Sequence, residues 1–297
     1  MARTVLVIGT NDFIYKNLEN FTKIKKLGFK ISNFTDNFFL KKSSHYLVSK
    51  IKKINPIFCI ITAGISGGIL FNIKNDLKIL NYNCKIYQKI FNCLILAKIK
   101  NVFFISASCV YPKLINKKIS ESFFLTGALE ETSLNYSISK ILGHAYCNTA
   151  IKRNLNYICL VPATLYGPHY NNNEVNSHVI NSLISKFRNN KKIVKVWGDG
   201  SAKREFLHIN DLLDAIFFIY KMKIKEKILN IGLNKDYSIR ELVKFLKHLT
   251  KFKGKIVWKK NMPTGVRKKL LDSSKLYNLG WTPKYNLEHG LRSIIKE

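Results

Sequence analysis

The sequence predicts an α/β fold: a Rossmann-like doubly wound parallel sheet joined to a smaller C-terminal α/β lobe. Three observations lead there. Over residues 1–165, short apolar runs alternate with longer amphipathic stretches, the pattern of a parallel sheet covered by helices on both faces. The first run, Thr4-Val5-Leu6-Val7-Ile8, passes through Gly9 into a helical stretch, a strand–loop–helix opening. After Pro162 the rhythm gives way to Tyr166-Gly167-Pro168-His169 and an Asn-rich turn, and only short elements follow.

Taken in order, β-branched and aromatic runs mark strands at Thr4–Ile8, Lys30–Asn33, Phe58–Thr62, Asn101–Ser106 and Tyr157–Pro162. Between them, apolar residues at helical spacing predict helices over about 12–27, 82–99 and 136–154. Right-handed crossovers then wind these strands into one sheet. Beyond the Asn-rich turn come a helix, a short strand near Val194–Trp197 and the Phe206–Ile209 segment. Short strands at Lys227–Ile231 and Lys255–Trp258, with a helix at Ile239–Thr250, complete a smaller lobe. The expected division is residues 1–165 as a dinucleotide-binding domain, with about 205–232 returning to it, and 166–297 as an interleaved substrate-binding lobe.

Bulk properties exclude several classes. A chain of 297 residues that is 46% hydrophobic can bury a full core. No run of 18 apolar residues occurs, so no membrane span is expected. Thr4–Ile8 reads as a first strand and not as a leader. Six cysteines are scattered without CxxC or zinc spacing, which fits a reducing cytoplasm and no disulfide framework. The net charge of +32 invites a nucleic-acid reading, but only seven of the 50 basic residues are arginine. Readers of nucleic acid lean on arginine for bidentate contacts. The lysines are also spread along the whole chain, as a solvated surface would have them. An anionic small ligand is still favoured.

Chemistry concentrates in two segments. Tyr136 and Lys140 are four apart in a helical stretch and share one face. An ammonium beside a phenol favours the phenolate and makes the tyrosine a usable proton donor and acceptor. Tyr46 and Lys50 repeat the spacing, so spacing alone decides nothing. Context separates them: about thirty residues before Tyr136 lies the strand end Ser106-Ala107-Ser108-Cys109, and Tyr46 has no such partner.

The segments Ser108-Cys109-Val110-Tyr111-Pro112-Lys113, Leu165-Tyr166-Gly167-Pro168-His169, Asn176-Ser177-His178-Val179-Ile180, Val196-Trp197-Gly198, Arg204-Glu205-Phe206-Leu207-His208 and Lys268-Lys269-Leu270-Leu271-Asp272 carry a resemblance. They are similar to the GDP-L-fucose synthase family, the GDP-4-keto-6-deoxy-D-mannose 3,5-epimerase-4-reductases among the extended short-chain dehydrogenases/reductases. The similarity runs from about residue 55 to the C-terminus. It implies Tyr136, Lys140, Cys109 and His178 as catalytic residues, with Cys109 and His178 as the proton-transfer pair. It also implies NADP(H) near Gly9, Asn11, Asp12, Ser106, Ala107, Lys140, Pro162, Ala163, Thr164, Leu165 and His178. Lys186, Trp197, Arg204 and Lys268 would contact a GDP-sugar substrate. A homodimer through the helices carrying Tyr136 and Tyr82 is implied, with neither nucleic acid nor membrane as a partner. His208 reads as a support of the fold.

Two departures stand out. The family loop Gly-x-x-Gly-x-x-Gly is here Gly9-Thr10-Asn11-Asp12-Phe13-Ile14-Tyr15, which keeps only the first glycine. The lost glycines, the Asp12 charge and the bulk of Tyr15 predict weakened pyrophosphate binding. The family's catalytic serine is replaced by Ala107, and the nearest hydroxyls are Ser106 and Ser108. Ser108 is the candidate carried forward, although alternation along a strand sends such neighbours to opposite faces. Near the end of the second strand, Lys30, Ser32 and Asn33 include no arginine for a 2′-phosphate and no acid placed for NAD. The activity the resemblance implies is NADP-dependent 3,5-epimerisation and 4-keto reduction of a GDP-4-keto-6-deoxy sugar, and the departures leave open whether reduction is impaired. The alternative is a degenerate, non-catalytic nucleotide-sugar-binding homologue that retains the fold.

Overall fold

The structure, a computed structural model, describes residues 3–10, 12–113, 117–170, 179–189, 192–262 and 265–295. Its first half contains β1 (Thr4–Ile8), α1 (Asp12–Ile24), β2 (Lys30–Phe34), α2 (Asp36–Lys41), α3 (Ser44–Ile54) and β3 (Phe58–Ile61). Then follow α4 (Ile69–Lys74), α5 (Asp76–Leu96), β4 (Asn101–Ile105), α6 (Leu134–Ile151) and β5 (Asn156–Pro162). The second half opens with β6 (Thr164–Tyr166), α7 (Val179–Asn189), β7 (Ile193–Trp197), β8 (Lys203–Arg204), β9 (Phe206–His208) and α8 (Ile209–Lys221). It continues through β10 (Ile228–Ile231), β11 (Tyr237–Ser238), α9 (Ile239–Leu249), β12 (Lys255–Lys259), β13 (Lys268–Lys269), α10 (Ser274–Asn278) and α11 (Leu287–Ile295).

Six parallel strands form the central sheet in the order β10-β5-β4-β3-β1-β2. The winding reverses between β1 and β3, and in open α/β sheets that reversal opens a crevice at the carboxyl ends of the strands. Both faces are covered, so β1 is buried throughout. Val5 and Val7 join one core with Phe13 and Leu18 of α1 and Leu212 and Ile216 of α8. Leu6 and Ile8 join the other with Leu47 of α3, Ile86 and Phe91 of α5 and Cys147 of α6. A third core, beneath the C-terminal lobe, gathers Ile180, Leu183, Val194, Leu242, Leu246, Leu287 and Leu291.

Helix ends moved where capping chemistry overrides periodicity. The first helix stops at Ile24, short of residue 27, because Lys26 and then Gly28 take left-handed backbone (φ 49° and 65°). The helix expected from Tyr82 begins at Asp76, an acid in its first turn that suits the helix dipole. Strand β4 ends at Ile105, which leaves Ser106 outside it. Helices α2 and α3 were not legible, being short and rich in polar residues.

One buried carboxylate joins the two lobes. Glu205, between β8 and β9, accepts from the amides of Leu233 (2.6 Å), Asn234 (2.8 Å) and Leu271 (2.9 Å). Its own carbonyl accepts from Thr164 N at 3.1 Å. His208 caps α8 through Nδ1 and stacks on Tyr285, and burial lowers its pKa to about 4, so it supports the fold as a neutral ring. Glu205→Ala leaves three enclosed amides without acceptors and should destabilise the fold by roughly 3–5 kcal/mol, read by urea unfolding. Burial raises the Glu205 pKa from 4.5 to about 7. Its stabilising share is therefore fully present below pH 4.5 and lost as the pH rises through 7, a dependence that Glu205→Gln should abolish.

Candidate active site

A cavity of about 320 Å³ opens between the carboxyl end of the sheet and the C-terminal lobe. Helix α6 places Tyr136 on its wall and Lys140 one turn deeper. The helix can lie this close to the sheet because of Gly143, where a Cβ would stand 2.3 Å from the Phe104 ring. Lys140 is 4% exposed, and its Nζ donates to the Ile105 carbonyl at 2.7 Å. That ammonium also lies 4.7 Å from the Phe104 ring centre, 5.2 Å from Tyr87 and 5.6 Å from Tyr136. Burial lowers its pKa to about 8, against the opposing charges of Cys109 and Asp36. Tyr46 and Lys50 keep the same spacing on α3, with Nζ 3.4 Å from the phenol, and are not on the wall of this cavity.

Cys109 sits in a single 3-10 turn, Ser108–Val110, directly after β4, and lines the same cavity as Ala107, Ser108 and Tyr136. Burial raises its thiol pKa, while Lys269, a hydrogen bond with Ser137 and Lys140 pull it down. Enclosure also raises the phenol of Tyr136, with Cys109 adding to the rise and a hydrogen bond with Ser66 opposing it. Both groups therefore hold their protons at neutral pH. Ser133, a turn before Ser137, also lines the cavity, and its buried hydroxyl has no hydrogen-bond partner among the described residues.

Basic residues line the same cavity. Lys186 of α7, Trp197 at the end of β7, Arg204 of β8 and Lys269 of β13 all line the cavity. Burial depresses the Arg204 pKa, and Glu130 counters it. Glu130 also pairs with Lys269 at 3.6 Å. Lys268 lies elsewhere: it pairs with Asp236 at 3.8 Å and is not on the cavity wall. The parallel pairing of β13 with β8 sets Lys269 beside Arg204, and alternation along the strand sends Lys268 away.

On the sheet side, Ala107 and Thr164 line the cavity. Pro162 ends β5, Ala163 is buried, and Leu165 packs against the main core. Ser106 turns away: its hydroxyl is buried 2.7 Å from His144 Nε2, behind the sheet end. Ser106 thus faces the core and Ala107 the cavity, and the hydroxyl-bearing residues of the cavity lining include Ser108, Thr132 and Ser133. Gly9 has φ 149°, and a Cβ there would stand 2.3 Å from Thr62 Oγ1, so this glycine is required by the close approach of β1 and β3. Tyr15 does not wedge helix from sheet; it is only partly buried and donates to Glu19 at 2.7 Å. Asn11, His178 and the Asp12 side chain fall outside the described residues; Val179, next to His178 in the chain, lines the cavity.

One residue of this region was missed. Asp36, 2% exposed, accepts from Thr10 N (3.0 Å), Gly64 N (3.0 Å) and Tyr82 OH (3.2 Å). It lies two residues beyond β2, where Thr35 caps α2, and so reads from sequence as an ordinary acid in a helix's first turn. The available signal was its distance of 27 residues from Gly9, near the position of the ribose-binding acid in dinucleotide folds. The crevice at the β1/β3 reversal, the close-packed Gly9 and the buried Lys140 together fit a nicotinamide dinucleotide.

Comparison with known proteins agrees with this geometry. Residues 17–232 match the model of the NAD dependent epimerase/dehydratase family. GDP-L-fucose synthase 1 of Arabidopsis thaliana is 38% identical over 241 residues, 80% of this chain and 75% of the relative. GDP-L-colitose synthase of Yersinia pseudotuberculosis is 34% identical over 298 residues, 97% of this chain and 95% of the relative. Among solved structures, MlghC, a GDP-mannoheptose C4 reductase from Campylobacter jejuni with NADP bound, superposes with a TM-score of 0.85 at 24% identity. That match covers 100% of this chain and 98% of MlghC. With the doubly wound sheet and the Tyr136/Lys140 pair already in place, these matches show that the chain belongs to the NAD dependent epimerase/dehydratase family, among the relatives of GDP-L-fucose synthase.

Proposed function

We propose that the chain catalyses 3,5-epimerisation and 4-keto reduction of a GDP-4-keto-6-deoxy sugar, with NADP(H) as the hydride carrier. The observation that carries this reading is one cavity lined by Cys109 and Tyr136, with Lys140 behind them, and also by Arg204, Lys186 and Lys269. The names of the curated relatives, and the NADP in MlghC, support the GDP-sugar and the cofactor. A non-catalytic homologue finds no support in relatives named as synthases.

A ketone at C4 acidifies the hydrogens at C3 and C5, so each centre inverts when a base removes one proton and an acid returns another to the opposite face. Cys109 carries its proton at neutral pH and serves as one member of that pair, and Lys269 and Ser137 favour the thiolate once the proton leaves. His178 is proposed as the other member. NADP(H), when bound, supplies the hydride that reduces C4. Tyr136 donates its phenolic proton to the C4 oxygen, and the Lys140 ammonium then steadies the phenolate. Arg204, Lys186 and Lys269 face the diphosphate with charge, and Trp197 offers its indole to the nucleotide. Exposed Leu77 on α5 and Leu134 and Ile138 on α6 support a homodimer through those helices.

The test is incubation with GDP-4-keto-6-deoxymannose and NADPH in deuterated water. Absorbance at 340 nm should fall while deuterium enters C3 and C5; absence of both signals would sink the reading. Cys109→Ala should abolish exchange, and Ala107→Ser, which returns a donor near the C4 oxygen, should speed reduction at least tenfold without changing exchange. The reductase rate should fall as the pH passes about 8, where Lys140 loses its charge. Lys140→Arg, which stays charged, should remove that limb from the pH–rate profile, and an unchanged limb would acquit Lys140. Light scattering should return twice the 34.3 kDa mass of one chain; a single-chain mass refutes the dimer.

A further inference from the structure

We propose that Glu130 selects sugar nucleotides over free nucleoside di- and triphosphates, by presenting a carboxylate to hexose hydroxyls where a terminal phosphate would otherwise sit. The proposal rests on the GDP-sugar reading above and adds a specificity-determining residue to it. A cavity lined by Lys186, Arg204 and Lys269 attracts any nucleotide polyphosphate, yet Glu130 lines it too. The acid is held in place. Thr132 Oγ1 donates to its Oε1 at 3.0 Å, Lys269 Nζ stands 3.6 Å from its Oε2, and the Ser133 amide donates to its carbonyl at 3.1 Å. It is not sealed off, since the side chains of Glu130 and Lys269 keep 17% and 18% exposure.

Glu130 lies between the reacting groups and the cations. A Cβ on Gly265 would stand 3.2 Å from Glu130 Oε1 and 3.4 Å from Arg204 Nη2, so carboxylate and guanidinium converge on one spot. Burial is the main influence on the Cys109 thiol, but the charges of Lys269 and Glu130 both reach it, with opposite sign. A substrate with its ketone at Tyr136 and its diphosphate at Arg204 and Lys269 therefore carries C2 and C3, with their hydroxyls, past Glu130.

The chemistry of the carboxylate then separates the ligands. It offers about four acceptor positions. Among the described residues Thr132 fills one, and Lys269 Nζ stands beyond hydrogen-bond length. The remaining lone pairs suit hydroxyl donors. A free terminal phosphate has a second pKa of about 6, so at neutral pH it brings an extra negative charge and little proton to give. In a sugar nucleotide that oxygen is esterified to C1 and the extra charge is absent. Like charge beside Glu130 weakens a free di- or triphosphate by roughly tenfold.

The test is calorimetric binding of GDP, GTP and GDP-fucose to the purified full chain, without NADPH or magnesium. The native chain should bind GDP-fucose about tenfold more tightly than GDP, and GTP more weakly still. Glu130→Gln, confirmed as folded by circular dichroism, keeps the shape and removes the charge. It should tighten GDP and GTP by roughly tenfold and weaken GDP-fucose severalfold. Equal tightening of all three marks only a change in the general field, and equal weakening only a lost support for Lys269; either overturns the inference. In the native chain, GDP or GTP binding as tightly as GDP-fucose also overturns it and leaves the GDP-sugar reading standing. Binding of none of the three overturns both.

Discussion

The cavity depends on a buried carboxylate that lies outside it. Glu205 draws the chain after β10, the chain after β13 and its own strand junction onto one pair of oxygens. Its neighbour in sequence is Arg204, and the segment it holds through Leu271 carries Lys269. Its carbonyl meanwhile fixes Thr164 on the sheet side. Glu205 therefore ties the segment carrying Lys269 to the strand junction that carries Arg204. Enclosing such a group is unfavourable by itself, as its raised pKa records. Three amides offset that penalty, and they come from segments far apart in sequence.

Around Lys140 the same balance is tilted the other way. The ammonium is enclosed by Phe104, Tyr87 and Tyr136 with one carbonyl to accept from it. Burial lowers its pKa without discharging it at neutral pH. Its charge is thereby kept close to Tyr136 and Cys109, two groups whose proton-bearing forms are favoured by the same enclosure. A water-excluded site strengthens each of these interactions over its surface equivalent; Lys50, equally spaced from Tyr46, also lies over aromatic rings but in a partly exposed setting.

The large positive charge finds a local meaning here. Most of the lysines belong to the solvated surface, yet Lys186, Arg204 and Lys269 converge on one hollow with an aromatic ring beside them. That suits a diphosphate attached to a base far better than an extended polyanion.

Much of the fold was legible because its determinants are local. Apolar runs located the five sheet strands of the first half, and i to i+4 spacing placed Tyr136 and Lys140 on one helical face. The thiol, the phenol and the ammonium were found from segments that each keep their own neighbours. Contacts between distant segments could not be read that way. Whether Lys268 or Lys269 faces the cavity depends on how β13 pairs with β8, and whether Ser106 or Ala107 does depends on where β4 stops. Asp36 acquires its meaning only when the ends of β1, β2 and β3 are side by side. The sequence by itself determined the elements and the chemical groups, since periodicity and composition act over a few residues. Which groups meet was decided by tertiary packing, since strand pairing and enclosure join residues that the chain keeps far apart.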